Sequence, residues 1–289
     1  MASLRPAMRS FLRGWRDDID VGWQGVLSGV EPALEQIAEA LTLEEAEEII
    51  PGRRGRPATG AREDSHIFRA LDGIKPDDVN AVILGQDPYP RASRATGRSF
   101  EQGDVSDWVE PLSAVAESLR RIVQLVAHTR TGRQIYLEGD TAWKRVVADS
   151  GSGRLSLAAP RPFFDDWQRQ GILCVNAGLT LSRFEPSVQR AHFRMWQPVL
   201  RAILSSVVRR RRRPIVFLLW GRVAASTFDE LGIPQIAAES GTRELVRVVR
   251  SVHPGAEGRD GRSEFLLGPN TFELANEQLL AAGGQELRW

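Results

Sequence analysis

Four short apolar runs constrain this chain most: "NAVILG" at 80 to 85, "GILCVNA" at 171 to 177, "PIVFLLWG" at 214 to 221 and "LVRVVRSV" at 245 to 252. Each is rich in Val, Ile or Leu and too short for a core helix, and Gly or Pro bounds three of them. Between them lie longer stretches of helical period, among them "PLSAVAESLRRIVQLVAH" and "AHFRMWQPVLRAILSSVV". Strands that alternate with helices form a parallel sheet covered on both faces. The expected fold is therefore α/β, three layers in α/β/α order around a central four-stranded, mostly parallel sheet.

The residues at the carboxyl end of each run carry the function. The first run leads into Gln86, Asp87, Pro88 and Tyr89, the second into Asn176, the third gives Trp220 and Gly221, and the fourth leads into His253 and Pro254. Ligands of open parallel sheets bind outside the carboxyl ends of the strands. Asp87, Tyr89, Asn176 and His253 can thus meet in one pocket although the sequence scatters them. Singly each has a plain explanation, since Asp before Pro starts turns, Asn caps strand ends and a lone His is often structural. Their joint delivery to one edge is what points to a site.

Composition narrows the chemistry. With 289 residues and 42% hydrophobic content the chain can bury a large core, and 1–289 is expected to form one domain with residues 1–22 as a peripheral segment. No apolar run reaches the ~20 residues of a membrane helix, and the start "MASLRPAMRS" lacks a signal-peptide core, so a cytoplasmic protein without membrane contact is expected. The single cysteine, Cys174, rules out internal disulfides and Cys-rich metal sites and is expected to be an inert buried thiol. His66, His128, His192 and His253 are too dispersed for a local metal motif, so neither metal nor cofactor is expected.

Of 38 basic residues only Lys75 and Lys144 are lysines, a bias that a GC-rich genome produces without any binding role. The run Arg209 to Arg213 precedes the third strand, hence lies at the edge opposite the pocket, and reads as a solvated basic turn. Upstream, "PALEQIAEALTLEEAEEII" reads as an acidic helix, "PGRRGRPATGARED" as loop and "SHIFRAL" as a short helix.

The motifs resemble those of the family 1 uracil-DNA glycosylases. "GQDPYP" is similar to that family's GQDPYH, "GILCVNAGLTL" to its strand LLLNAVLTV, "IVFLLWG" to its third strand and "SVHPG" to the start of its loop HPSPLS. "FELANEQLLAAGGQELRW" resembles its final helix, and the likeness runs from Trp23 to Trp289. The resemblance implies that Asp87 positions the attacking water and stabilises a cationic sugar. Neutral His253 would donate to uracil O2, and Asn176 would read O4 and N3–H. Phe100 would stack on the flipped base, Tyr89 would block the thymine methyl, and Gln86 would shape the pocket.

DNA contacts would come from Pro254, Gly255, Ala256, Arg259 and Arg262. This loop departs from the family. Pro90 replaces a histidine, Gly255 and Gly258 replace the serines that pinch the DNA backbone, and Glu257 stands where a leucine wedge enters the duplex, leaving Arg259 and Arg262 as substitutes.

The implied activity is hydrolysis of the N-glycosidic bond of uracil in single- or double-stranded DNA, by a cofactor-free monomer that starts base-excision repair. The altered loop further implies poor binding to the phage protein that inhibits these enzymes. Two alternatives are a glycosylase of the same fold with wider range over deaminated bases and a catalytically weak protein that binds damaged or single-stranded DNA. A binder has no need of the Asp87 carboxylate.

Overall fold

The computed structural model describes residues 2–139, 141–209 and 212–289. In chain order it contains α1 (Leu4–Phe11), α2 (Val21–Leu27), β1 (Ala81–Gly85), α3 (Glu117–Thr131), α4 (Ala142–Gly151), α5 (Pro160–Arg169), β2 (Ile172–Asn176), α6 (Pro186–Val208), β3 (Ile215–Trp220), α7 (Arg222–Glu230), α8 (Ile233–Glu239), β4 (Val246–Ser251), α9 (Glu264–Leu267) and α10 (Thr271–Ala281). The central sheet has the order β2-β1-β3-β4. Every pairing in it is parallel, so the expected "mostly parallel" sheet is parallel throughout.

Strand alternation divides the core in two. Val82, Leu84, Leu173, Val175, Phe217 and Leu219 face the layer built by α1, α2, α6, α7 and α8. Ala81, Ile83, Ile172, Cys174, Val216 and Leu218 face the layer of α3, α4, α5 and α10. A strand buried on both faces needs apolar residues at every position, which is why the runs are continuous rather than alternating. Cys174 is buried as expected, and burial pushes its thiol up to about 12.

Three upstream expectations need correction. Residues 1–22 are not peripheral: Leu4, Met8, Leu12, Trp15 and Ile19 are all buried in the first core layer, and the Trp15 ring packs 5.4 Å from Phe68 and 6.5 Å from Trp196. An indole buries too much apolar area to be left outside when a cleft between two aromatic rings will take it. The acidic stretch from 32 to 50 is not a helix. It holds only a short 3₁₀ turn at Leu34–Gln36, while Thr42–Leu43 pairs with Ala2–Ser3, because its carboxylates serve tertiary partners: Glu48 takes the Thr59 amide and Glu47 takes Arg183. "SHIFRAL" shrinks to a 3₁₀ turn at Arg69–Leu71.

Arg210 and Arg211 lie outside the described residues. Arg212 and Arg213 line a cleft of about 740 Å³ with Asn80, Gln170 and Gly171, residues that precede β1 and β2. That is the amino edge of the sheet, opposite the predicted pocket, and none of the pocket residues lines it.

Candidate active site

The register of β1 on β2 sets Gly85 beside Asn176. A side chain at Gly85 is excluded, since its Cβ would lie 2.3 Å from Asn176 Oδ1 and 2.6 Å from Ser99 Cβ. The chain beyond both strands stays paired: Ala177 N–H donates to the Gly85 carbonyl and Gly178 N–H to the Gln86 carbonyl, each at 2.9 Å. Asn176 is 3% exposed, and among the described residues no hydrogen bond is made to its side-chain amide. A buried amide without a protein partner is costly unless a ligand or water completes it.

Asp87 is half-buried. Its Oδ2 accepts from Gln189 Nε2 at 2.8 Å and from Gln86 Nε2 at 3.0 Å. Burial holds its carboxyl above the ordinary value, and those two donors act against the rise. Oδ1 leans over Gly178, where any Cβ would sit 2.8 Å away. Gly178 stands where the family strand LLLNAVLTV has valine, so the carboxylate occupies room that a side chain would otherwise fill.

Phe100 is the one non-glycine residue with positive φ among the described residues, at 63°. For an aromatic residue that conformation costs on the order of 1–3 kcal/mol and persists only when the surroundings fix it. Here they do. Ser99 on one side bonds the Cys174 and Ile83 carbonyls, at 3.1 and 3.2 Å. On the other side the fully buried Glu101 meets Arg62, Arg69 and Arg98. Burial alone would raise the Glu101 carboxyl, and the three guanidiniums outweigh it and hold it low.

The ring so presented lies 5.3 Å from Trp220 and 6.0 Å from His253. Tyr89 closes the same corner, its hydroxyl 3.4 Å from both the Phe100 carbonyl and Ser118 Oγ, with its phenol pushed up to about 12 by burial.

His253 lies just past β4 and packs against Gly221, whose Cβ would lie 3.0 Å from that of His253. Its Nδ1 accepts from the Gly255 N–H at 3.0 Å, which assigns the ring proton to Nε2 in the neutral form. His253 is exposed, yet partial desolvation first, and the charge of Arg121 second, move the imidazole below its ordinary value. Both effects favour the neutral Nε2–H donor.

In the loop after His253, the Glu257 side chain is half exposed and turned to α3. It bonds Arg121 at 2.8 Å, and its backbone bridges Ser263. Pro254 is buried and Gly255 and Ala256 are half-buried, whereas Arg259 and Arg262 are exposed, with Arg262 Nε 3.6 Å from Asp260.

A buried polar network supports the loop beyond Asn176. His192 Nδ1 lies 2.8 Å from Thr180 Oγ1 and Nε2 3.0 Å from Ser182 Oγ, while Trp196 Nε1 donates to Thr180 Oγ1 at 2.7 Å. Burial lowers His192 from 6.5 to about 4. The unfolded chain then takes up a proton before the native state does. The associated stability is complete above the unfolded value and is lost as pH falls towards about 4, by about 2 kcal/mol at pH 5. Urea unfolding at pH 7.5 and 5 should show that loss, and His192→Gln should remove it; equal pH slopes in the two proteins would refute the assignment.

Among relatives, a uracil-DNA glycosylase of Parafrankia sp. (strain EAN1pec) is 30% identical over 278 residues, which cover 95% of this chain and 96% of that protein. The chain belongs to the uracil-DNA glycosylase family. Uracil-DNA glycosylase 1 of Streptomyces coelicolor is 29% identical over 94% of this chain and 95% of its own length. No family model matches.

The fold of a uracil-DNA glycosylase from Nitratifractor salsuginis superposes with a TM-score of 0.59 at 19% identity, covering 96% of this chain and 98% of that one. A mimivirus uracil-DNA glycosylase variant in complex with UGI superposes with a TM-score of 0.57 at 17% identity, covering 96% and 94%. Within this family frame, the sequence alone does not reveal Gln189, Gly178 or Arg121 as parts of the site. Of the three, Gly178 leaves a signal, as the position just past Asn176–Ala177 where a glycine replaces the family's valine.

Proposed function

We propose that this chain hydrolyses the N-glycosidic bond of uracil in DNA, leaving an abasic site. The observation that carries the reading is the meeting of four things at one sheet edge: a carboxylate, an unpartnered buried amide, a neutral N–H donor and a strained aromatic platform.

A base inside a duplex cannot be reached and has to be flipped out. Stacked on Phe100, uracil would present its edge to Asn176, whose amide donates to O4 and accepts from N3–H. Cytosine reverses both partners. The Tyr89 ring, braced through its hydroxyl, walls the position of a 5-methyl group. As the bond from C1′ to N1 breaks, its electron pair moves into the base and is shared with O2, where His253 Nε2–H donates. The sugar becomes cationic beside the Asp87 carboxylate, which also orients the water that attacks C1′. Preorganised groups of this kind act where charge develops and need no reorganisation at the moment of reaction. On the DNA, Pro254, Gly255 and Ala256 would line the backbone, with Arg259 and Arg262 as its cationic contacts.

The test is release of base from labelled single- and double-stranded oligonucleotides carrying uracil, hypoxanthine, xanthine or thymine. Uracil release is the expected result. Release of several deaminated bases at similar rates would instead support the wider-range glycosylase, and binding without release would support the binder. The base-reading roles have their own check. Tyr89→Ala should admit slow thymine release, and Asn176→Asp should shift preference towards cytosine; an unaltered base spectrum in both variants on single-stranded DNA would remove Tyr89 and Asn176 from the pocket.

A further inference from the structure

We propose that Arg121 is the positioning residue for His253, clamping the loop from Pro254 to Glu257 onto α3. The inference rests on the reading of His253 as the neutral donor. Arg121 projects from the second turn of α3, and its side chain is 8% exposed. Both of its terminal nitrogens are engaged, by one loop above all. Nη1 donates to the Pro254 carbonyl at 3.0 Å and to the Ala256 carbonyl at 2.8 Å. Nη2 bonds Glu257 at 2.8 Å and also Glu117, one turn back on its own helix. Three of its four partners thus belong to the four residues directly after His253.

The loop has little else to hold it at this point. Ala256 N–H donates to the His253 carbonyl at 2.8 Å and Gly255 N–H to the ring, so this turn orders itself around the histidine. Besides the buried packing of Pro254, the hydrogen bonds that join the turn to the body of the protein come from the guanidinium. A planar fork can satisfy two carbonyls and a carboxylate together, which an ammonium point charge does less well.

The same placement gives Arg121 a second effect. Partial desolvation and the cation beside it both disfavour the imidazolium form of His253. The ring's other neighbours, Phe100 and Gly221, carry no charge, and Glu117 and Glu257 reach it only as partners that partly neutralise Arg121. Arg121 does not act on Asp87, whose surroundings are set by burial, Gln189 and Gln86. The two catalytic groups therefore respond separately to changes here.

Two substitutions should act with opposite signs. Arg121→Met removes the cation, so His253 should titrate at higher pH, and the loosened loop should lower kcat/KM roughly 10-fold, as for modest misplacement of a catalytic group. Glu257→Gln keeps the cation and the loop's carbonyl contacts but removes its counter-charge, so His253 should titrate at lower pH. Arg121→Lys should restore the titration better than it restores the rate.

The measurement is the ring NMR titration of His253 in the full-length variants, alongside single-turnover uracil release across pH. Opposed shifts for Arg121→Met and Glu257→Gln support the proposal. Shifts of the same sign, or no shift in either, overturn it, and if Arg121→Met fails to fold, a Glu257→Gln shift in the wrong direction or its absence does so alone. Failure of the unmodified protein to release uracil would sink the functional reading instead, leaving the titrations to judge Arg121.

Discussion

Asp87→Asn should lower single-turnover uracil release by at least ~10²-fold, the loss expected on removal of a preorganised group worth several kcal/mol at a developing charge. The substitution is nearly isosteric, and Asn Oδ1 can still accept from Gln189 and Gln86, which lie 2.8 and 3.0 Å from Oδ2 in the native site. What would disappear is the negative charge that the proposed mechanism sets opposite the sugar cation. DNA affinity should hold or rise slightly, because a carboxylate no longer faces the phosphate backbone. Rate and affinity have to be measured together: near-full activity would mean that Asp87 neither stabilises the cation nor orients water, while joint loss of rate and binding would mean that the variant disturbed the loop.

The parts of this arrangement that sequence reveals are those set by local chemistry. A strand buried on both faces must be apolar throughout, so "NAVILG" and "IVFLLW" announce themselves, and a parallel sheet then fixes which edge receives Asp87, Asn176 and His253. The segment from 32 to 50 misleads because Glu, Ala and Leu favour helix intrinsically, yet a short helix is marginal without packing. Here the burial of Ile37, Ile49 and Ile50 and the pairing of Thr42–Leu43 outweigh that preference.

Gln189 and Arg121 lie beyond reach for a different reason. Their contacts span 102 residues to Asp87 and as many as 136 to the loop after His253. Which face of α6 or α3 turns towards the site depends on the seating of the whole helix, and one turn's difference would present another side chain. The strain at Phe100 is equally invisible, since it is imposed by the Glu101 cluster and by the Cys174 carbonyl rather than by the residue itself.

The loop from Pro254 to Arg262 should make this protein hold its abasic product weakly and resist the phage protein inhibitor, by ~10²-fold or more in each dissociation constant relative to family members with the HPSPLS loop. Two losses add. A leucine side chain buried in a duplex or in an inhibitor cleft contributes ~1.5–3 kcal/mol, and here that place in the loop belongs to Glu257, which is committed to Arg121. The serines of the family loop each supply a hydrogen bond worth ~0.5–1.5 kcal/mol, and Gly255 and Gly258 have no side chain to replace them.

Arg259 and Arg262, both exposed, would restore cationic contact with phosphates but not apolar burial, so what grip remains should weaken steeply with salt. Glu257→Leu provides the internal control. It should strengthen inhibitor and abasic-site binding if the loop path is family-like, while giving up the bond to Arg121. Titrating both proteins with the inhibitor and with an abasic duplex at two salt concentrations decides the matter: stoichiometric inhibition and tight, salt-insensitive product binding by the unmodified chain would mean that a side chain outside this loop performs the wedging.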